Sequence, residues 1–198
     1  MKEHNIDIEA LKKDENFIKD LKKLEDEMKS EGSIDKGYQL LGAKLAIEAS
    51  EDEINEIFTF IVSRAFDILA EYLTTNRGFN MQDPEELATA RAIYEHGIQR
   101  YSENDIKGSK EIFLILYYTI EDDELKDAMM IHACAVMAGN SFEDFINNLA
   151  DTSNIDESDP TAFCIKTFQQ PNDILLTMFA KYVKLGESEL RKFEESKT

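Results

Sequence analysis

Apolar residues recur at helical spacing along almost the whole chain, and only three prolines and eight glycines interrupt them. A pattern with that period commits a chain to amphipathic helices, and no run alternates convincingly as a strand would. From residue 5 to about 30 the spacing predicts a helix with one narrow stripe: Ile8, Leu11, Phe17, Ile18, Leu21, Leu24 and Met28. Charges cover the rest of its surface. A stripe so narrow suits a partner helix or a dimer seam better than a deep core. Leu11, Ile18 and Leu21 are therefore the candidate dimerisation residues. The rival arrangements are a helix folded back on the protein's own body, or an arm that touches a bound partner.

Gly32 and Ser33 end this segment, and a second helix follows with Ile34, Tyr38, Leu41 and Leu45 on one face. Ser50 to Glu53 has capping-box spacing, in which the serine oxygen accepts from the amide three residues on and the glutamate reaches back. The strongly amphipathic helix that begins there should stop near Asn76, Arg77 and Gly78, with glycine as the left-handed closing residue. Asp83-Pro84-Glu85-Glu86 opens the next helix with an acidic cap and proline in the first turn. It also marks an organisational boundary between an N-terminal helical segment, 1–82, and a body, 83–198. Within the body the spacing predicts hairpins: one through the turn at 103–105, one joined at Gly139-Asn140, and a third with helices at 161–168 and 172–185. A short terminal helix is expected at 187–195.

Composition narrows the partners. Forty-one acidic residues against 22 basic ones give a net charge of -19. Such a surface repels phosphate backbones and anionic lipid, so neither nucleic acid nor membrane insertion is expected. It keeps a protein soluble and suits a cationic partner. The two cysteines, Cys134 and Cys164, form no paired motif, which fits free thiols in a reducing compartment. The opening MKEHNIDIEALKKDE has no apolar stretch of the signal-peptide kind, and the most apolar run, 57–73, contains Arg64 and Asp67. A cytoplasmic location is the expectation.

The first apolar residue after each hairpin turn is Ile106, Phe142 and Ile174, separated by 36 and 32 residues. Their mean is about the tetratricopeptide repeat length, in which helical pairs stack and line a concave groove. Gly97 and Ser109 fall where two such helices touch, and Phe113 where a packing aromatic belongs. An ordinary helical bundle with hairpins of similar size is the alternative.

The stretch Ile93 to Asp156 resembles the first two repeats of the translocator chaperones (class II) of bacterial type III secretion systems. The shared features are Tyr94, Ile98 and Tyr101 on one helix, Lys110, Phe113 and Leu116 on the next, and the segment Ala133, Cys134, Met137, Ala138, Gly139. Asn104 stands where that family usually has a glycine, and the segment before Asp83 is longer than the family's. The resemblance implies an all-α, tetratricopeptide-like fold of stacked helical hairpins preceded by an N-terminal helical segment. It further implies a groove that holds a hydrophobic secreted protein as client before export. In that register Tyr94, Ile98 and Tyr101 of the first pair and Met130, Cys134 and Met137 of the second line the groove. Their rival role is packed core or filler between repeats. A helical-repeat adaptor or regulator outside secretion, or a non-enzymatic helical-bundle scaffold, are the alternative functions.

No catalytic constellation emerges. His4, His96 and His132 are scattered, and His132 has no Asp, Glu or His three or four residues away, so structural roles are expected and no metal or other cofactor. The Glu121–Glu124 carboxylates sit at a helix start, where they complement the dipole. Calcium loops, glycine-rich phosphate loops and nucleophile elbows do not occur.

Overall fold

The computed structural model describes residues 8–153, 155–156 and 158–197; His4 lies outside them. Helices carry the described chain. They are α1 (Ile8–Leu11), α2 (Glu15–Glu31), α3 (Ile34–Ala46), α4 (Glu51–Thr75), α5 (Pro84–Ser102), α6 (Ile106–Thr119), α7 (Asp123–Met137), α8 (Phe142–Asn148), α9 (Asn172–Met178) and α10 (Ala180–Ser196). Only two isolated β-bridges occur among the described residues, Phe79 with Ile120 and Ala150 with Phe168. The all-α expectation holds.

The chain divides into two compact units, one ending at Ile68 and the other starting at Leu69. The boundary expected from the sequence is at 82/83. Residues 69–82 belong with the later unit because Tyr72 stacks on Phe79 at 4.9 Å and donates its hydroxyl to Glu86 at 2.6 Å. The amide of Phe79 in turn donates to the carbonyl of Thr119 at 2.6 Å.

In the first unit α2 and α3 pack as a hairpin. The single long helix expected from residue 5 is two, because Asp14 caps α2 by accepting from the amides of Asn16 and Phe17. Gly32 closes α2 at φ 66°, and Ser33 caps α3. A carbonyl-to-solvent end is thereby turned within two residues. Gly37 lets α3 lie against Ile61 of α4, whose Cγ1 would be 2.8 Å from an added Cβ.

In the second unit α5 packs on α6 and α6 on α7, so successive helices stack as in helical-repeat proteins. The expected starts form: Asp83 accepts from the amides of Glu85 and Glu86, and Ser50 with Glu53 makes the reciprocal box at the start of α4. Asn76 at φ 58°, rather than Gly78, takes the left-handed position after α4. Asn104 takes the same role between α5 and α6 at φ 61°, which its short polar side chain tolerates. Gly97 is a true contact point. A Cβ there would lie 2.8 Å from Ile112 Cγ2 and 3.1 Å from Phe113 Cε1, both on α6. Gly97→Val is expected to destabilise the unit by about 1–3 kcal/mol through overpacking, read as a lower urea midpoint with an unchanged slope.

The third hairpin departs from the reading. Residues 161–168 are not helical but form an irregular strap, and α10 runs unbroken where a short terminal helix was expected. Instead of continuing the stack, α9 packs on α7 while α10 returns to both α6 and α7.

Candidate functional site

The centre of the second unit is α7. Nine consecutive residues, Ala128 to Val136, are buried, so the helix has no solvent face over that stretch. A helix apolar all round must be enclosed, and α6, α9, α10 and the strap enclose this one. His132 is the polar exception. Its Nδ1 lies 2.7 Å from the Ala128 carbonyl and therefore carries the hydrogen, leaving Nε2 to accept from the Tyr94 hydroxyl at 3.1 Å. The Tyr94 oxygen accepts in turn from the backbone N–H of Ile165 at 3.0 Å. Burial pushes the His132 pKa down to about 4 and the Tyr94 phenol well above its usual value, so both are neutral. Every buried polar side chain among the described residues has a hydrogen-bond partner.

Rings from α6, α8 and the strap surround this chain of bonds. His132 lies 4.9 Å from Phe113 and 4.6 Å from Phe145, centroid to centroid, and Phe163 and Phe168 of the strap close the other side. Such a cluster is a core, and the residues expected to line an open groove lie in it or beside it. Tyr94, Tyr101, Met130 and Cys134 are buried, while Ile98 and Met137 are half-buried. Four of them have a named covering element. Tyr94 lies under the strap. Tyr101 packs on Phe142 and Phe145 of α8, and its hydroxyl donates to the Asn140 carbonyl at 2.9 Å. Met130 and Met137 sit beneath α10 at Gly186, where an added Cβ would be 3.5 Å from the Met130 sulfur and 3.6 Å from Met137 Cε. Burial raises the Cys134 thiol to about 12 and pushes Cys164 up as well, so neither supplies a thiolate near neutral pH.

The expected dimer stripe is partly consumed inside the first unit. Leu21 is buried and Leu11 half-buried, whereas Ile18 stays exposed. With Phe17, Leu21 and Ile47 it floors a shallow cleft whose rim carries Lys12 and Lys22.

An exposed feature that the sequence reading did not single out lies on the last two helices. Ile174, Met178 and Leu185 are 46, 71 and 46% exposed. Ile174 and Leu185 each directly precede a core-facing residue, Leu175 and Gly186, and Met178 is one turn beyond Ile174. Ile174 and Met178 therefore share one face of α9, and Leu185 is exposed beside the core-facing position of α10. Exposed Lys181 and Lys184 lie along the same stretch. The spacing was legible as helical, but which face would meet solvent depended on α10 folding back over α7. Nearly all of the net charge of -19 resides between residues 45 and 160, so the segment that carries the ridge has no excess of acidic residues.

Among the described residues no group of three or more His, Cys, Asp or Glu could hold a metal ion, and no helix is long and apolar enough to cross a membrane. Comparison with known proteins found no family model, no curated protein and no solved structure that matches this chain.

Proposed function

We propose that the chain is a non-catalytic helical scaffold that binds another protein through the ridge Ile174, Met178 and Leu185. The observation that carries this reading is their exposure on an otherwise amphipathic pair of helices whose opposite face is already committed to α7. Exposed apolar side chains one turn apart on α9, with a third on α10, suit a partner helix. Lys181 and Lys184 beside them favour acidic flanks on that partner. Burial and neutrality of His132 and both cysteines support a role without chemistry.

The resemblance of residues 93–156 to translocator chaperones gives the reading its finer form, in which the partner is a hydrophobic secreted protein. The enclosure of Tyr101 by α8 and of Met130 by α10 argues that such a client would seat on the ridge rather than against those residues. Homodimerisation through Leu11 and Ile18 is a separate proposal, supported by the exposure of Ile18.

The test compares proteins retained from the native cell by the wild type and by Met178→Glu/Leu185→Glu. Both positions are exposed, so helicity is expected to be unchanged and stability to stay within about 0.5 kcal/mol of wild type. A stoichiometric partner retained by the wild type should be lost at least tenfold from the variant. A photo-reactive residue at position 178 should cross-link to an amphipathic helix with acidic flanks. Retention of the same proteins by both forms would remove the ridge from consideration. Capture of an export substrate selects the chaperone form, a soluble cytosolic protein the adaptor, and a second copy alone the scaffold.

A further inference from the structure

The strap is a segment of another kind in a helical protein, and its attachment is unusual. Its two ends are stitched to each other. Asp151 N donates to the Thr167 carbonyl at 2.9 Å and Gln169 N to the Leu149 carbonyl at 2.8 Å. Thr167 Oγ1 and Gln169 Nε2 add bonds to the carbonyls of Asp151 and Ala150. Between those ends it turns on itself, through Asp159, which accepts from the amide and hydroxyl of Thr161, and through Cys164 N to the Thr161 carbonyl. Its polar ties to the helices are few. They are the Ile165 amide and the Cys164 thiol to the Tyr94 hydroxyl, and the half-buried Lys166 to Glu124 at 3.0 Å. The remainder is side-chain packing. Phe163 meets Tyr94 at 5.9 Å, Phe168 meets His132 at 6.0 Å and Phe145 at 6.2 Å, and Cys164 is buried. Lifting residues 161–168 breaks the neck bonds and these ties, and leaves every hydrogen bond within a helix intact.

The surface beneath has the chemistry of a peptide site. It is an aromatic slot formed by α5, α7 and α8 with one hydroxyl at its floor, and apolar sites with a few fixed polar groups are what ligands select. The Tyr94 proton is engaged by His132, so toward the strap the oxygen can only accept. It selects an N–H donor, and in the structure that donor is main chain. We propose that residues 161–168 are a removable internal occupant of this slot, and that its external ligand is an extended segment of a partner protein. That segment carries an aromatic residue, a small apolar residue directly after it, and a second aromatic four positions further on. The strap itself provides the pattern, with Phe163, Cys164 and Phe168. Closed, the strap keeps the slot shut; an occupant of like pattern holds it open. This site is independent of the ridge on α9 and α10.

Two measurements test it. In native-state amide exchange on the full chain, Ile165 and Gln169 are expected to exchange through an opening at least a hundredfold more frequent than the one that exposes Ala133 of α7. Equal protection of all three would make the strap ordinary core and end the proposal. The second uses a fluorescent peptide of residues 159–170 under reducing conditions. Phe163→Ser/Phe168→Ser, which weakens the strap's hold, should bind it at least tenfold more tightly than the wild type. Adding Tyr94→Phe, which removes the accepting oxygen, should weaken that binding at least threefold. A helical, folded variant that ignores the peptide, or a wild type that binds it equally, overturns the idea. If the variant does not fold, the exchange measurement decides alone. Met178→Glu should leave peptide binding unchanged, so failure here and failure of the ridge are separable.

Discussion

Tyr101→Ala is expected to destabilise the second unit by about 3–5 kcal/mol, the usual cost of deleting a fully enclosed aromatic ring. The ring packs at 6.3 Å from Phe113, 5.5 Å from Phe142 and 5.9 Å from Phe145, so it joins α5 to α6 and α8 at once. None of these partners can collapse into the space without disturbing His132, which touches two of them. At roughly 2–4 °C per kcal/mol for a protein of this size, the thermal midpoint should fall by about 10 °C. Tyr101→Phe separates the hydroxyl from the ring. It removes the bonds to the Asn140 and Ser141 carbonyls and should cost about 1 kcal/mol. The pair of variants discriminates between two roles for one residue. A groove tyrosine could be truncated with little change in stability and a loss of binding. An Ala variant that melts where the wild type does would return Tyr101 to the surface and reopen the groove.

What was legible in the sequence was local. Asp83-Pro84, Ser50 with Glu53, Gly32-Ser33 and the Gly97 contact all work through a few adjacent residues or one helix crossing, and each stands where expected. What was not legible depends on the fold as a whole. Residues 161–168 carry apolar spacing that a helix could use, but Thr161, Ile165 and Thr167 are β-branched and weakly helical, and Asp159 offers Thr161 a turn instead. Phe163 and Phe168 are then worth more against Tyr94 and His132 than in a helix facing solvent. The same tertiary choice explains the groove residues. Tyr94, Met130 and Cys134 do lie on α5 and α7 as the register places them. Periodicity says which side of a helix is apolar and is silent on whether that side stays open. Here the strap, α8 and α10 supply the covers, and the α10 cover turns on Gly186, a single residue with no apolar signal of its own.

The second large effect is an acid sensitivity that belongs to one side chain. His132 is fully enclosed, its folded pKa is depressed to about 4 by burial, and its neighbours are Tyr94 from α5, Phe113 from α6, Phe145 from α8 and Phe168 from the strap. None of these groups carries a charge to compensate an imidazolium. In the unfolded chain the same imidazole titrates near its ordinary value of about 6.5. Between those two values the unfolded state binds a proton that the folded state refuses, so stability is intact above about pH 6.5 and drains as the pH falls toward 4. The gap corresponds to about 3 kcal/mol in all, of which about 2 kcal/mol goes between pH 7 and pH 5. Many carboxylates also titrate at the lower end of this range, so the readout is a difference. The urea stability of the wild type minus that of His132→Phe should shrink by about 2 kcal/mol from pH 7 to pH 5, while the carboxylate contribution cancels. Parallel profiles would mean that the imidazole is already solvated, or protonated and paired, in the folded protein. The physical consequence is specific to the strap. A proton on Nε2 turns that atom from acceptor to donor, so the Tyr94 hydroxyl loses the acceptor for its own proton and must reorient between two N–H donors, His132 and Ile165. Loss of protection at the Ile165 amide should therefore precede loss of the α7 amides as acid is added, and simultaneous loss would show that His132 reports on the bundle rather than on the strap.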